Sequence, residues 1–143
     1  MLKVDEIEMG TVVDHIIAGK GNKVLGILNI GEKYPHRVAM MMHVPSKKDK
    51  TKDIVKIEGK LVDQKDANII ALLSPGATIN IIQGGKVEKK FKVELPKELV
   101  GAGTCPNPNC ITNSEDTENR FSKEDGGYRC GFCERLFAAE ELV

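Results

Sequence analysis

Cys105-Pro106-Asn107-Pro108-Asn109-Cys110 and Cys130-Gly131-Phe132-Cys133 contain all four cysteines of this 143-residue chain. The spacing is C-x4-C, then nineteen residues, then C-x2-C. Each pair of thiols can bind one side of a tetrahedral ion, and four thiolates leave no coordination position open. The pattern therefore predicts one structural Zn2+ per chain, bound by Cys105, Cys110, Cys130 and Cys133.

Other states of the four thiols are a rubredoxin-like iron site, two disulfides, or four buried free cysteines. Disulfides fit poorly, because the N-terminal sequence lacks the apolar stretch of a secretion signal and thiols stay reduced in the cytoplasm. We therefore expect a cytoplasmic protein. No apolar run is long enough to span a bilayer, so no membrane association is expected. The spacing alone leaves the role of the metal open, since zinc ribbons bind nucleic acids and proteins alike.

A domain boundary is predicted just before the first cysteine, where Pro96 limits a strand and Gly101 and Gly103 loosen the chain. It divides the sequence into residues 1–97 and residues 98–143. The second part is too short to bury enough apolar surface to fold alone, and a metal would supply the missing stabilisation. We expect a small β-rich, zinc-ribbon-like domain, with residues 113–128 as a polar loop and a minimal core of Phe121, Phe132 and Phe137.

The first part has the pattern of a mixed α+β domain. The second helix is the best marked, with Asp63 as its N-cap and Pro75-Gly76 as its stop. Gly84-Gly85 predicts a two-residue hairpin turn. Strands are expected at 11–17, 37–44, 53–58, 78–83 and 86–93, and the first helix at 23–29.

The order β-α-β-β-α-β with one further strand is that of a ferredoxin-like α/β sandwich, an antiparallel sheet with two helices on one face. The methionine-rich strand 37–44 is expected to be buried. The face of the sheet that the helices leave open is expected to meet a ligand or a second copy of the domain.

Charge is unevenly distributed although the formal net charge is zero. Residues 1–100 hold 17 Lys and Arg against 13 Asp and Glu, and residues 101–143 hold 4 against 8. A basic half favours an anionic partner such as a nucleotide or a nucleic acid; two ordinary solvated surfaces are the alternative. Aromatic residues make up only 4% of the chain, which argues against a single-strand nucleic-acid binder that stacks bases.

A set of lysines could hold phosphates. Lys56 lies between Val55 and Ile57, so in a strand its side chain points away from theirs. If Lys56 and Lys90 lie on neighbouring strands, two ammonium groups converge on a triphosphate. From composition alone, a solvated lysine face is favoured over a site. The set comprises Lys52, Lys56, Lys86, Lys89, Lys90 and Lys92.

Nothing in the sequence supports catalysis. Asp14 and His15 occupy adjacent strand positions, which should place their side chains on opposite faces rather than in a dyad. There is no Ser/His/Asp order, no Walker phosphate loop and no GxGxxG motif.

Four segments together resemble the regulatory chain of aspartate carbamoyltransferase, and the resemblance covers nearly all 143 residues. The last is close to the CPNxxCI signature of that family. The segments are Gly10–Ile16 (GTVVDHI), Asp53–Glu58 (DIVKIE), Pro75–Asn80 (PGATIN) and Cys105–Ile111 (CPNPNCI).

This resemblance implies a non-catalytic, allosteric subunit. The N-terminal domain would bind CTP as inhibitor and ATP as activator, in feedback control of the first committed step of pyrimidine biosynthesis. It would also form the regulatory-chain homodimer. The zinc domain would dock on the catalytic chain, so that regulatory dimers join two catalytic trimers. A zinc-ribbon nucleic-acid-binding protein is the alternative, and the acidic C-terminal part argues against it.

The resemblance also implies roles for individual residues. Asp14 and Lys56 would contact the ribose and Lys90 the phosphates, with His15 and Lys52 nearby, also toward the phosphates. Asp5 and Glu6 would flank the base, mostly through backbone atoms. The base and sugar pocket would be lined by Val4, Ile7, Val12, Asn80, Ile82 and Val87.

Overall fold

The computed structural model describes residues 7–47 and 50–143. The predicted site residue Val4, with Asp5 and Glu6, lies outside them. No helix in the described part of the chain is long and apolar enough to cross a membrane. The elements are β1 (Gly10–Ile17), α1 (Gly21–Ile27), β2 (Val38–Pro45), β3 (Thr51–Glu58), α2 (Gln64–Leu73), β4 (Thr78–Gln83), β5 (Lys86–Lys92), β6 (Glu98–Val100), β7 (Arg120–Glu124), β8 (Gly127–Cys130) and β9 (Leu136–Phe137), with 3-10 turns at Ile111–Asn113 and Ala139–Leu142.

The first seven elements form one antiparallel sheet with two helices. The strand order is β2-β3-β1-β4-β5, and every pairing is antiparallel. The first four strands in this order, with the two helices, are the ferredoxin-like arrangement that the sequence predicts. The strand β5 is added through Gly84 and Gly85, whose φ angles of 61° and 74° suit the tight hairpin turn.

The helix α2 begins and ends where its capping signals indicate. The Asp63 side chain accepts a hydrogen bond from the Asp66 backbone N–H at 2.9 Å, which satisfies one of the free donors of the first turn. Pro75 follows the last turn. The helix α1 begins at Gly21, two residues before the predicted start.

Both helices pack on the same face of the sheet. The core lies between the inward strand residues Val13, Val55 and Ile79 and the helix residues Val24 and Ile70, all of them fully buried. Side chains alternate between the two faces along a strand. Every second residue of each strand therefore points to the face that neither helix covers.

The prediction that the methionine-rich strand is buried is wrong. The strand β2 is the outermost strand of the sheet, and the exposed fractions of Val38, Met40 and Met42 are 36%, 36% and 42%. An edge strand has a neighbour on one side only, so apolar composition alone does not bury it.

The second part of the chain is a four-stranded antiparallel sheet in the order β6-β7-β8-β9. Residues 113–128 are therefore not simply a polar loop, because they contain β7 and the first half of β8. Phe121 and Tyr128, which point inward from this hairpin, are buried with Leu99 and Leu142. The prediction for Phe132 is also wrong: it is 44% exposed, because it lies in the turn between two cysteines.

The two parts are in contact beyond the connecting segment. Leu72 of α2 is buried in the core of the second sheet, not in the first. The Tyr128 hydroxyl donates a hydrogen bond to the Pro96 carbonyl at 2.6 Å. Lys20 lies 3.5 Å from the Glu140 carboxylate. The second core is thus completed by a side chain from the first domain.

Replacing Thr11 by Val should destabilise the first domain by about 1–3 kcal/mol, because two backbone groups lose their partner. The buried Thr11 hydroxyl donates to the Lys60 carbonyl at 2.7 Å and accepts from the Val62 N–H at 3.1 Å. Urea unfolding followed by circular dichroism measures the change. The same substitution at exposed Thr51 is the control; an equal loss in both variants would contradict the prediction.

Candidate metal centre and basic sheet face

The four thiols converge in the structure. Their Sγ atoms all lie within 4.8 Å of one another. Cys105 and Cys133 are 3.7 Å apart, as are Cys110 and Cys130. Metal–sulfur bonds of about 2.3 Å in a tetrahedron place sulfurs about 3.8 Å apart, so the four thiols fit a metal ion. They are the only group of three or more potential ligands this close within the described residues.

A network of side-chain amides holds the loop that bears the first two cysteines. The Asn113 amide donates to the carbonyls of Cys105 at 2.9 Å and Asn107 at 2.8 Å. The Asn107 side chain accepts from the Asn109 N–H at 3.1 Å. These hydrogen bonds define the shape of the loop between Cys105 and Cys110.

The second pair of cysteines lies at the end of β8. The Cys130 sulfur accepts a long hydrogen bond of 3.5 Å from the Phe132 N–H. The Glu134 N–H donates to the Cys130 carbonyl at 3.0 Å, and Glu134 has a positive φ of 63° that turns the chain back toward β9. Burial raises the pKa of the Cys130 thiol, and the backbone N–H aimed at its sulfur opposes that rise.

The thiols differ in acidity. Burial raises the pKa of the Cys105 thiol to about 12. The Thr112 hydroxyl, 3.2 Å from the Cys110 sulfur, lowers the pKa of that thiol to about 7. At neutral pH the four groups would not ionise together without a cation. A bound metal deprotonates all of its thiol ligands, so its affinity rises with pH.

The open face of the first sheet carries a cross-strand row of predicted site residues. The register pairs Lys56 with Val12, Val12 with Asn80, and Asn80 with Lys90. Paired residues point to the same face. The condition that Lys56 and Lys90 lie on neighbouring strands is not met, because β1 and β4 lie between β3 and β5. Three strand spacings separate them by about 14 Å.

A second row on this face lies one step nearer the start of β4. Asp14 pairs with Thr78, and Thr78 with Lys92. The Lys52 ammonium is 3.0 Å from the Asp14 carboxylate, and the Lys52 side chain is only 15% exposed. This part of the face is therefore rich in ammonium groups.

His15 does not obey the strand alternation. A bulge in β1 lies between Val13 and Ile16, and His15 within it has a φ of 55°. The imidazole Nε2 consequently lies 4.0 Å from the Asp14 carboxylate, so the prediction that the two side chains face opposite ways is wrong. The His15 Nδ1 is buried and makes no hydrogen bond to any described residue.

A cavity of about 420 Å3 opens beside this bulge. The sequence predicts no specific role for the two lysines that line it. Lys92 belongs to the general basic set, and Lys50 lies in a lysine-rich stretch typical of a solvated loop. Its lining residues are His15, Ile17, Ala18, Lys50, Thr51, Pro75, Gly76 and Lys92.

The opposite end of the same face is apolar. Ile82 pairs with both Gly10 and Val87. The Gly85 N–H donates to the Glu8 carbonyl at 3.0 Å, which places the segment before β1 beside the turn between β4 and β5. Ile7 is buried against Gly10. Ile7, Ile82 and Val87 thus gather at this end.

Two family profiles match the chain. The profile described as aspartate carbamoyltransferase regulatory chain, allosteric domain, covers residues 2–94. The profile described as the metal binding domain of the same chain covers residues 97–143.

Individual relatives match over almost the whole length. A protein of Methanococcus maripaludis is 56% identical over 94% of this chain and 92% of its own length. One of Pyrococcus furiosus is 51% identical over 99% and 96%, and one of Thermococcus gammatolerans 46% over 99% and 96%. Each is named an aspartate carbamoyltransferase regulatory chain.

Replacing Cys110 by Ser should greatly lower the metal content and unfold the second sheet, because three thiolates hold the ion less tightly and the small core depends on it. The first sheet should remain folded. Metal analysis and segment-resolved hydrogen exchange measure both effects. Thr112→Val, which keeps all four thiols, should retain the metal. A Cys110→Ser chain with full metal content and a protected second sheet would contradict the prediction.

Proposed function

From the premise that this chain belongs to the family of aspartate carbamoyltransferase regulatory chains, and is itself a non-catalytic regulatory chain, we propose its effectors and partners. The domain of residues 1–97 binds CTP and ATP on the open face of its sheet. The domain of residues 98–143 holds a structural Zn2+ and docks on the catalytic chain. Nucleotide binding thereby controls pyrimidine biosynthesis by feedback.

The observation that carries the nucleotide proposal is the polarity of the open face. Apolar Ile7, Ile82 and Val87 lie at one end, where a base would be buried. Ammonium groups lie at the other, where phosphates would be held. The middle row offers Lys56 and the Asn80 amide at the level of the sugar. One face therefore presents, in order, the chemistry of each part of a nucleotide.

The phosphate end has more cationic groups than the sequence alone predicts. Lys52, Lys50 and Lys92 lie at this end. Lys90 pairs with Asn80 in the middle row, two residues before Lys92 on β5, and its side chain is proposed to reach the phosphates from there. Lysine suits a triphosphate because its compact charge can serve several oxygens. The buried, unpaired Nδ1 of His15 lies beside the same cavity.

Base recognition by the backbone accounts for two effectors at one site. Cytosine and adenine both carry an exocyclic amino group, which a backbone carbonyl can accept in either case. The segment before β1 runs beside the turn at Gly85, next to the apolar end of the face. Backbone groups of Asp5 and Glu6, which precede this described segment in the sequence, are proposed to contact the base, as the resemblance implies.

Zinc is the proposed metal because four thiolates in tetrahedral geometry are its usual structural site, and it needs no redox partner. It would hold the two cysteine turns together and supply no chemistry to a substrate. Ile111 and Phe132, each 44% exposed, flank these turns. With exposed Asn109 as a polar contact, they form the proposed docking surface for the catalytic chain. Asn107 is only 8% exposed and holds the loop from inside.

The homodimer is proposed to form along β2. The described sheet ends at two edges, and the β5 edge carries Lys86, Lys89, Lys90 and Lys92. Lysines on an edge strand oppose pairing with another chain. The β2 edge instead presents Val38, Met40 and Met42, which are partly exposed. Apolar side chains beside unpaired backbone groups suit association with a second copy.

Communication between the two sites has a physical route. The Ile17 N–H donates to the buried Ser74 hydroxyl at 2.9 Å, and Ile17 lines the cavity at the phosphate end. Ser74 follows the last turn of α2, two residues after Leu72, which is buried in the metal-bearing core. Nucleotide binding is proposed to shift α2 and so to change the orientation of the two domains relative to each other.

The function can be tested by titrating CTP and ATP against the purified chain, with single-stranded and duplex nucleic acid in parallel. The proposal expects nucleotide binding. Tight nucleic-acid binding with a steep dependence on salt, and no nucleotide binding, would instead indicate the nucleic-acid-binding alternative.

Replacing Lys90 by Ala should weaken CTP binding about tenfold to a hundredfold, the effect of losing one charged hydrogen bond. Assembly with the catalytic chain should persist, because the metal-bearing domain is untouched. Calorimetry and the CTP response of the assembled enzyme measure the two effects. Lys89→Ala removes the same charge from the other face, where Lys89 lies over the Phe91 ring, and is the matched control. Loss of assembly in the Lys90 variant would refute the division of labour.

Replacing Met42 by Lys should weaken the homodimer about tenfold or more, because a charge on the edge strand must be buried or repelled when two copies meet. Sedimentation velocity over a range of concentrations measures the change. Met9 has the same exposed fraction, 42%, but lies outside β2, so Met9→Lys is the control. An unchanged dimer in the Met42 variant would exclude this edge.

A further inference from the structure

We propose that Asp53 is a positioning residue for the phosphate end of the nucleotide site, acting without contact to the nucleotide. The inference rests on the proposed function and deepens it. Asp53 follows Lys52 on β3. The Lys52 side chain faces the open side of the sheet, so the Asp53 side chain points to the opposite side. Its side chain is fully buried on the helix side of the sheet.

The carboxylate is held by three backbone donors. One oxygen accepts from the N–H groups of Gly19 at 2.9 Å and Gly21 at 2.8 Å. The other accepts from the His43 N–H at 3.0 Å. Gly19 lies in the connection from β1 to α1 and Gly21 begins α1, whereas His43 belongs to β2. A single carboxylate therefore ties the strands on both sides of β3 to one point.

Both neighbouring strands are irregular at this level. The β1 bulge that contains His15 ends at Ile16, which pairs with Asp53. The β2 bulge lies between Met41 and Val44 and contains His43. His15 and His43 have φ angles of 55° and 57°. Left-handed backbone is unfavourable for residues other than glycine and persists only where the surroundings hold it.

The segment that Asp53 holds is also the wall of the cationic cavity. His15, Ile17 and Ala18 line that cavity, and the Gly19 N–H immediately follows them. Lys52 immediately precedes Asp53, faces the other side of β3 and forms an ion pair with Asp14. Movement of the end of β1 would displace His15 and the Lys52–Asp14 ion pair together. By holding this end from the helix side of the sheet, Asp53 fixes the positions of both.

Only an aspartate fits these contacts. An asparagine has one acceptor oxygen, so in either orientation its NH2 group faces at least one of the three N–H donors. A longer acid would not fit, because Gly21 already approaches closely: a Cβ added there would lie 3.0 Å from the Asp53 carboxylate and 3.2 Å from the Met40 sulfur. Gly21 and Asp53 therefore act as one unit.

A positioning role and a purely structural role predict different binding. If Asp53 only stabilises the domain, its loss should weaken nucleoside and nucleotide binding alike. If it positions the phosphate end, the loss should fall on the triphosphate. The informative quantity is the ratio of the affinities for CTP and for cytidine, measured on the full, metal-loaded chain by calorimetry.

For Asp53→Asn we expect CTP affinity to fall about tenfold and cytidine affinity to stay within about twofold, as expected when cationic groups lose their alignment with phosphates. The control is Asp63→Ala, which removes the α2 N-cap and should lower stability without changing the ratio. If the affinities for CTP and cytidine fall equally in Asp53→Asn, so that their ratio is unchanged, the inference is overturned.

Gly21→Ala provides a second variant, which retains the Asp53 carboxylate but displaces it by a few tenths of an ångström. It should lower the ratio of the affinities for CTP and cytidine by a smaller factor than Asp53→Asn does. If Asp53→Asn does not fold, Gly21→Ala serves as the test of the inference. A ratio unchanged in folded Gly21→Ala would then overturn the inference. A wild-type chain that binds neither CTP nor ATP would refute the proposed function itself, which is a different outcome from wild-type binding with an unaltered ratio in the variants.

Discussion

The arrangement of the first domain depends on two helices packing against the same face of a five-stranded sheet. Alternation along each strand sends Val13, Val55 and Ile79 into that core, and it necessarily sends Val12, Lys56 and Asn80 to the other side. An open sheet face with apolar residues at one end exposes surface to water at a cost. A ligand that covered the face would remove this apolar surface from water, and the lysines at the other end would favour an anionic one.

The second domain has the opposite problem, since it has too little chain to form a core of its own. Its few large buried side chains include Phe121, Tyr128 and Leu99, and Leu72 is contributed by α2. Four thiols that meet across two turns replace the missing apolar area with a metal–ligand network. The metal and the borrowed leucine make the fold of this domain depend on both an ion and its neighbour.

Local patterns in the sequence predicted the element order, the cap at Asp63, the turn at Gly84-Gly85 and the convergence of the thiols, because each depends on residues close in the chain. The errors involve the sheet as a whole. Whether β2 lies at an edge, how far Lys56 is from Lys90, and where a bulge turns His15 are decided by strand order and register. The hairpin of β7 and β8 was hidden because its buried residues are few and its outward residues are polar.

The position of Leu72 bears on how a nucleotide could influence a distant partner. Packed cores respond to small shifts by changing between discrete arrangements rather than by stretching, because they have little free volume. The last turn of α2 is bound to the end of β1 through Ser74 and is buried in the metal-bearing core through Leu72. A displacement of β1 at the phosphate end therefore cannot be absorbed by a flexible linker. Either α2 moves with β1 and the second domain changes its position relative to the first, or the hydrogen bond between Ile17 and Ser74 breaks.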